Sequence, residues 1–193
     1  MEDKIRCSWC EKDDLYKKYH DEEWGIPIYE DDKIFEFLIL ETFQAGLSWY
    51  TILKKRENFR KAFDNFDYIK IANYNEDKIQ ELLLNEGIIR NQLKVRATVI
   101  NAQNFIAIQK EFGSFSKYIW NFTDGKTIKN KIKSLKDIPG KTPLSDKISI
   151  DLKKRGFKFV GSTVVYAYMQ ATGMVNDHFE DCWTQSRNDK KIN

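Results

Sequence analysis

Residues 152–167 read Leu152-Lys-Lys-Arg-Gly156-Phe-Lys-Phe-Val-Gly161-Ser-Thr-Val-Val-Tyr-Ala167. This stretch predicts two helices joined by a tight turn between glycines, a helix–hairpin–helix over about residues 145–172. Glycine lets the backbone approach a phosphate closely, and the free N–H groups at the start of the second helix point toward it. We therefore expect the hairpin to bind the DNA backbone without reading its sequence. The expected DNA-binding residues are Gly156, Lys158, Gly161, Ser162 and Thr163.

Cations surround the predicted turn, at Lys153, Lys154, Arg155 and Lys158. They add positive charge where a phosphate would lie. The apolar residues Phe157, Phe159 and Val160 are expected to anchor the hairpin in the core. An ordinary helical hairpin with a solvated basic end remains the alternative, because two glycines separated by four residues are weak evidence alone.

Helix signals dominate the rest of the chain. A helix capped by Asp31 or Asp32 is apolar on nearly every side through Leu40, so it should be central and buried, and Gly46 ends it. No alternating strand is apparent, and the lysine-rich residues 123–143 resemble a surface connection. The fold class is therefore all-α, in one unit spanning residues 1–193. Six other helices are expected. Three of them span residues 75–86, which Gly87 ends, residues 91–112, and Ser162 to Ala171. The other three begin after Ser48 as a cap, after Ser114, and after Ser145 as a cap.

Composition limits the class of protein. The chain has 193 residues, 41% of them hydrophobic and 14% aromatic, which is typical of a globular domain. Three cysteines do not make a disulfide framework, and no signal peptide is visible, so we expect a cytoplasmic protein. The longest apolar stretch, Ile34 to Leu40, is too short for a bilayer, so no membrane partner is expected. The net charge of +3 permits a nucleic-acid partner without requiring one. We expect a monomer.

The two histidines of the chain each have a cysteine nearby in the sequence. Cys7 and His20 lie near the N-terminus, and His178 and Cys182 lie near the C-terminus. Two thiolates and two imidazoles are the donors of a closed tetrahedral zinc site, which would here join the two ends of the chain. Unrelated buried residues are an equally good interpretation of the spacing, and Cys10 offers a rival C-x-x-C pair with Cys7.

Aromatic residues cluster around one carboxylate in the first fifty residues. Glu41 lies seven residues after Ile34 and three after Leu38, so it shares their buried helix face. A buried carboxylate is costly unless it meets donors or a cation. Aromatic faces beside it suit a flat, positively charged heterocycle, although core packing with Glu41 in a local pair is the alternative. The aromatic residues are Trp9, Tyr16, Tyr19, Trp24 and Trp49.

Several motifs together resemble those of the 3-methyladenine DNA glycosylase I family, over nearly the entire chain. They are Arg6-Cys7-x-Trp9, Tyr16-x-x-Tyr19-His20-Asp21-x-Glu23-Trp24-Gly25, Leu40-Glu41-x-x-Gln44-Ala45-Gly46-Leu47-Ser48-Trp49, Leu53-Lys-Lys-Arg-Glu57-Asn58, Gly87-Ile-Ile-Arg90, Lys154-Arg-Gly-Phe-Lys-Phe-Val-Gly161 and Val175-Asn-Asp-His178-x-x-x-Cys182.

The resemblance implies a helix–hairpin–helix glycosylase fold that excises 3-methyladenine from alkylated double-stranded DNA and releases the free base. It implies one structural zinc ion on Cys7, His20, His178 and Cys182, with Cys10 outside the motif. It also implies that Glu41 and Tyr19 hydrogen-bond the flipped base while Trp49 and Tyr16 stack on it. The wider substrate site would include Trp9, Trp24 and Leu47.

The lesion indicates how much chemistry is required. A base inside a duplex must be flipped out, at a cost of a few kcal/mol. Methylation at N3 makes the adenine a cation, which leaves as a neutral base. Recognition by Glu41, the expected catalytic residue, is therefore needed more than strong acid–base catalysis. Other helix–hairpin–helix glycosylases place an aspartate shortly after the hairpin. Here Asn176 most nearly takes that place, although a shift of one residue would offer Asp177, and we expect no dedicated catalytic aspartate.

Two other functions fit parts of the sequence. A zinc-stabilised, non-catalytic DNA-binding helical module would keep the hairpin and the metal ligands but would not need Glu41, Tyr19 or Trp49. A zinc hydrolase would need an open coordination position, which four protein ligands do not leave.

Overall fold

The computed structural model describes residues 4–185, and within them the fold is predominantly helical. The α-helices are α1 (Asp14–Glu22), α2 (Asp31–Gln44), α3 (Trp49–Ala62), α4 (Tyr68–Ile71), α5 (Glu76–Leu84), α6 (Gln92–Phe112), α7 (Phe115–Trp120), α8 (Pro143–Lys154) and α9 (Ser162–Ala171). Short 3₁₀ turns cover Ser8–Cys10, Asp64–Phe66, Asn121–Thr123 and Leu135–Asp137. Two-residue strands, β1 (Ile128–Lys129) and β2 (Val175–Asn176), pair in parallel.

Helix α2 forms the centre of the core, as the sequence predicts. Its apolar residues are buried on nearly every side, because α3, α6, α7 and α9 pack around it. Aromatic contacts join these layers, with ring centroids 5.0 Å apart for Phe35 and Phe105 and 4.8 Å apart for Phe43 and Phe59. The central position of α2 places its last turn, which carries Glu41, deep inside the molecule.

The predicted cap of α2 is wrong. Glu30 occupies the N-cap position and makes no side-chain cap. The Asp31 carboxylate instead accepts hydrogen bonds from the backbone N–H groups of Phe115 and Ser116, at 2.9 and 2.8 Å. It thus satisfies the free donors at the start of α7, a helix 84 residues away in sequence.

The hairpin predicted from residues 145–172 is formed by α8 and α9. Ser145 does not cap α8: Thr142 is the N-cap, and Ser145 is its partner in a capping box. The start of α9 at Ser162 and its end at Ala171 match the prediction. The Asn101 side chain of α6 fixes the turn, because it accepts from the Lys158 N–H at 2.8 Å and donates to the Lys158 carbonyl at 3.1 Å.

Two of the three predicted hairpin anchors lie in the core. Phe157 and Val160 are buried, but Phe159 is 38% exposed and has a φ of +57°. A left-handed residue reverses the chain within the turn, and here it directs the ring toward solvent. The prediction that Phe159 anchors the hairpin is therefore wrong.

The structure also differs from the predicted elements where the local sequence signal is weak. Helices α1 and α4 were not predicted, and α5 ends with Asn85 as its C-cap rather than at Gly87. Residues 123–143 are not simply a surface connection, because β1 pairs with β2 and Ile132 is buried beside Phe179. None of the helices between residues 4 and 185 has the length and apolar character needed to cross a membrane.

Candidate functional site

A cavity of about 180 Å³ opens above the last turn of α2. All five of the aromatic residues singled out from the sequence line it, together with Glu41. The ring centroids lie 4.9 Å apart for Trp9 and Tyr16 and 5.2 Å apart for Tyr19 and Trp49. The cavity is therefore a narrow, flat-walled space, which suits a planar ligand.

Helix caps hold these walls in place. Asp13 caps α1 by accepting from the Tyr16 N–H at 2.9 Å, and its other oxygen accepts from the Tyr50 hydroxyl. Ser48 caps α3 by accepting from the Thr51 N–H at 3.2 Å, which fixes the helix end that carries Trp49. Both caps follow the local signal expected of Asp and Ser before a helix.

Glu41 lies at the base of the cavity and is 3% exposed. Its Oε2 has no hydrogen-bond partner among the described residues, and neither does the buried Nε1 of Trp49. Burial raises the pKa of Glu41 well above its usual range. Burial, followed by the nearby Glu41 carboxylate, also raises the pKa of Tyr19. Unsatisfied buried polar groups are rare in folded proteins. The Glu41 oxygen is free to accept a hydrogen bond from a ligand, and the Trp49 N–H is free to donate one.

Sequence reasoning missed four residues of the cavity wall, namely Gln44, Ile138, Ala167 and Gln170. Gln44 could have been found, because it lies one helical turn after Glu41. Gln170 gives no local signal, and its Nε2 donates to the Asp177 carboxylate at 2.7 Å.

Leu47 does not line the aromatic cavity. It is 42% exposed and borders an adjoining cavity of about 150 Å³, which also touches Glu41, Gly46 and Thr163. This second cavity connects the base of the aromatic cavity with the start of α9. Leu47 therefore lies between the pocket and the hairpin.

Asn176 and Asp177, the two candidates for the position of a catalytic aspartate, are both fully buried. Asp177 accepts hydrogen bonds from Tyr166 at 2.6 Å and from Asn130 and Gln170 at 2.7 Å each. The Asn176 side-chain oxygen accepts from the His178 N–H at 3.1 Å. Glu41 is the only carboxylate that lines the aromatic cavity within residues 4–185. The absence of a dedicated catalytic aspartate stays a prediction.

The hairpin presents an open backbone. Gly156 has a φ of +92°, and space around Gly161 is empty to 4 Å beyond where a Cβ would stand. Lys158 is exposed, whereas Arg155 is engaged by Glu111 at 2.7 Å and Asp151 at 2.8 Å. A hydrogen bond from Ser162 lowers the pKa of Asp146, so the Ser162 hydroxyl is occupied. Gly161 provides no side-chain cap for α9, and the first backbone N–H groups of a helix, here at Ser162 and Thr163, lack acceptors within the helix.

The structure brings Cys7, His20, His178 and Cys182 together as one buried cluster. Their ligand atoms all lie within 4.8 Å of one another. The shortest separations are 3.2 Å between the His178 Nδ1 and His20 Nε2 atoms and 3.4 Å between the Cys182 Sγ and His20 Nε2 atoms. Tetrahedral zinc, with bonds of about 2.3 Å to sulfur and about 2.0 Å to nitrogen, separates its ligand atoms by roughly 3.3–3.8 Å. The donor set and its size therefore fit a zinc ion.

Surrounding groups orient these ligands. His20 Nδ1 lies 2.8 Å from the Asp21 carboxylate, and His178 Nε2 lies 3.0 Å from the Trp24 carbonyl, so the opposite ring nitrogens face the cluster. The two thiols share a hydrogen bond that lowers the pKa of Cys182 and raises the pKa of Cys7. His178 and Cys182 follow β2 in a turn rather than a helix, with the Cys182 N–H bonded to the Phe179 carbonyl at 2.9 Å.

Cys10 is buried but lies outside the cluster. Its thiol donates to the Cys7 carbonyl at 3.1 Å, in the 3₁₀ turn of Ser8–Cys10. The rival C-x-x-C pairing is therefore not formed.

Comparisons with known proteins identify the family of the chain. A family model described as methyladenine glycosylase matches residues 9–185. The chain is 44% identical to DNA-3-methyladenine glycosylase 1 of Escherichia coli (strain K12), over 92% of this chain and 95% of that protein. It is 46% identical to the DNA-3-methyladenine glycosylase of Haemophilus influenzae (strain ATCC 51907 / DSM 11121 / KW20 / Rd), over 92% of this chain and 96% of that protein.

A solved structure of 3-methyladenine DNA glycosylase I from Staphylococcus aureus, described as the structural basis of 3-methyladenine recognition, superposes with a TM-score of 0.90. The two chains are 36% identical, and the match covers 93% of this chain and 96% of that one. The family match, the sequence identities and the superposition show that this chain belongs to the methyladenine glycosylase family.

Proposed function

We propose that this protein is a DNA repair glycosylase that flips 3-methyladenine out of alkylated duplex DNA and hydrolyses its N-glycosidic bond. The observation that carries the proposal is the buried, unpartnered Glu41 carboxyl at the base of an aromatic cavity. The relatives named above support the choice of lesion. A non-catalytic DNA-binding module would have no use for such a cavity.

Glu41 recognises the base through its hydrogen-bond donors and its charge. Without a ligand, burial favours the neutral carboxyl, since its pKa is raised. A cation against the carboxyl favours the ionised form, and N–H donors of the base satisfy Oε2. Binding therefore supplies both the cation that the ionised carboxylate needs and the donor that Oε2 lacks, and the carboxyl proton is released to solvent. A neutral, unmethylated adenine supplies no such charge.

The aromatic walls supply stacking. Trp49 and Tyr16 stack on the two faces of the base, and Tyr19, whose ring lies 5.2 Å from Trp49, donates a hydrogen bond to the base edge. Trp9 and Trp24 form the outer wall behind these rings, 4.9 Å apart. Each stacked base–aromatic contact is worth roughly 1–3 kcal/mol.

The bond that breaks joins the sugar C1′ to N9 of the base. Its electron pair moves to the base, which is released neutral, and water adds to C1′ with loss of a proton. The positive charge of the lesion already makes it a good leaving group. Glu41 therefore acts by holding the base in register, and this chain needs no strong general acid.

The hairpin and the exposed Leu47 hold the duplex around the extruded nucleotide. Backbone N–H groups of Ser162 and Thr163 bind phosphate at the start of α9, with Gly156, Gly161 and Lys158 beside them. One pocket and one hairpin suffice for one lesion, so the active species is a monomer.

The Cys7, His20, His178 and Cys182 cluster holds one structural zinc ion. The donor set and the orienting contacts of both imidazoles support zinc over a harder cation. The ion would lock the N-terminal segment to the segment after β2, and four protein ligands leave it no place for a substrate.

The decisive experiment is incubation of the pure protein with methylated DNA, followed by identification of the released purines. We expect 3-methyladenine as the principal product, with far less release by the Glu41→Gln variant. Duplex binding without any base release would instead support the non-catalytic module.

A further inference from the structure

Residues 126–141, here called the lysine arm, carry an unusual concentration of charge. They contain six lysines and one aspartate, a net charge of +5, whereas the whole chain carries +3. The remainder of the chain is therefore net negative. All six lysines are exposed. The positive charge of the protein is therefore concentrated in this segment and is not spread evenly over the surface.

The lysine arm has a fixed, extended conformation at its start. β1 pairs with β2, and Ile132 forms an isolated bridge with Phe179. Asn130 donates to the Asp177 carboxylate at 2.7 Å, and Ile132 is buried. Successive side chains of an extended segment point to opposite faces, so Lys129, Lys131 and Lys133 share the outer face at intervals of roughly 6.6 Å.

Most of these cations lack an acidic partner. Lys141 lies 3.4 Å from Asp146. Within residues 4–185, Lys126, Lys131 and Lys136 form no salt bridge, and Lys133 forms none within 4 Å although the Asp137 carboxylate is near its charge. In the hairpin, Arg155 is held by Glu111 and Asp151, and its exposed lysines include Lys158. Unpaired, ordered cations retain their full attraction for an external polyanion.

The lysine arm also adjoins the aromatic cavity. Ile138, near its C-terminal end, lines the cavity. Helix α9 begins at the hairpin with Ser162 and ends at Ala171, shortly before β2, on which the arm is anchored. Its ten residues span about 15 Å, and Ala167 and Gln170 on it line the cavity between the two ends. The hairpin and the arm thus flank the cavity.

We propose that the lysine arm is a second contact with the DNA backbone, which binds the duplex on the side of the flipped nucleotide opposite the hairpin. The inference rests on the proposed function, since it takes the cavity as the base site. A separation of about 15 Å corresponds to roughly four nucleotides of one strand at 3.4 Å per step. Phosphate contacts on both sides of the lesion would hold the duplex in place while one nucleotide leaves the base stack.

The test compares Lys131→Gln/Lys133→Gln with a matched control, Lys61→Gln/Lys70→Gln. Lys61 lies at the far end of α3, about 18 Å from Trp49 along the helix, and both control lysines are exposed. Affinity for a duplex with an abasic analogue is measured from 50 to 200 mM salt. Each lost phosphate contact should lower the slope of log K against log salt by about 0.9. We expect a decrease of about 1.8 for the arm variant, with affinity at 0.1 M salt reduced on the order of tenfold.

The control variant should retain the wild-type slope, and Lys158→Glu, in the hairpin, should also lower it. An unchanged slope in the arm variant, or an equal decrease in the control, would overturn the proposal. Hydroxyl-radical footprinting should show protection lost on one side of the lesion in the arm variant and on the other side in Lys158→Glu.

Titration with free 3-methyladenine separates this inference from the proposed function. The arm variant should bind the free base as the wild-type protein does, because Lys131 and Lys133 lie outside the cavity. If the wild-type protein released no 3-methyladenine yet the slopes changed as described, the proposed function would fail while the arm remained a DNA contact.

Discussion

Two buried polar regions differ in whether their polar groups have partners. One is the candidate metal cluster of Cys7, His20, His178 and Cys182, and the other is the aromatic pocket around Glu41. In the metal cluster, thiols and imidazoles lie within 4.8 Å of one another, and both histidines have an orienting partner on their other nitrogen. In the pocket, Glu41 Oε2 and Trp49 Nε1 have no partner in residues 4–185. Both regions bury groups that prefer water.

The difference is what we expect between a structural site and a substrate site. The metal cluster is buried and joins two chain segments, so we expect a bound ion to stabilise the fold. The aromatic pocket holds unsatisfied polar groups, so we expect it to bind a base reversibly and selectively. Variants of each cluster should therefore affect different measurements.

The largest effect is expected from loss of a metal ligand. Cys7→Ser or His178→Ala should abolish binding of the one zinc ion and lower the free energy of unfolding by several kcal/mol, with a decrease in Tm on the order of 10 °C. Metal analysis and thermal unfolding test this, and a chelator should have the same effect. Cys10→Ser is the control and should keep its zinc. Loss of zinc in Cys10→Ser but not in Cys7→Ser would contradict the assignment.

Loss of the Glu41 charge should affect excision rather than folding. Glu41→Gln keeps the shape but removes the charge, and a charge-assisted hydrogen bond is worth roughly 1.5–3 kcal/mol. Single-turnover release of 3-methyladenine should therefore slow by roughly tenfold to a few hundredfold. Zinc content and affinity for undamaged duplex should not change. Complete loss of activity with normal base binding would make Glu41 a proton-transfer catalyst instead.

Removal of the stacking wall should have a similar or smaller effect. Trp49→Ala should weaken binding of the free base and slow excision, by roughly 1–3 kcal/mol of lost stacking. Trp49→Phe is the matched variant and should recover part of the loss, because it retains a π face. Wild-type rates in Trp49→Ala would place the base elsewhere.

The smallest effect concerns stability and pH. Burial raises the pKa of Glu41, so the folded protein holds this proton more tightly than the unfolded chain does. The stabilisation is complete below the unfolded pKa of about 4.3 and is lost as pH rises from there through the folded pKa. Glu41→Gln should therefore be more stable than the wild-type protein at pH 8, by about 1 kcal/mol or about 2–4 °C in Tm, and the gain should shrink toward pH 4. A pH-independent difference would mean that Glu41 has a compensating cation.

Local signals predicted most of the helices because their causes are local. Ser48, Asn91 and Ser114 each cap the helix that follows them within three residues, so the sequence shows both partners together. The prediction that Asp31 caps α2 failed because the partners of its carboxylate are distant in sequence, at the start of α7. The strand pair was missed because each strand has only two residues and its partner lies 47 residues away in sequence.

The sequence by itself determined which chemistry is available. It supplied the four soft ligands at the two chain ends, the carboxylate on the apolar face of α2, the aromatic residues around it and the glycines of the hairpin, because residue type and helical period are local properties. Only the tertiary structure decided which groups remain unsatisfied and which surfaces adjoin. Gln170 and Ile138 reach the pocket wall, Arg155 is engaged by acids, and the lysine arm flanks the cavity because elements far apart in sequence pack around α2. Those contacts depend on long-range packing, which no local pattern records.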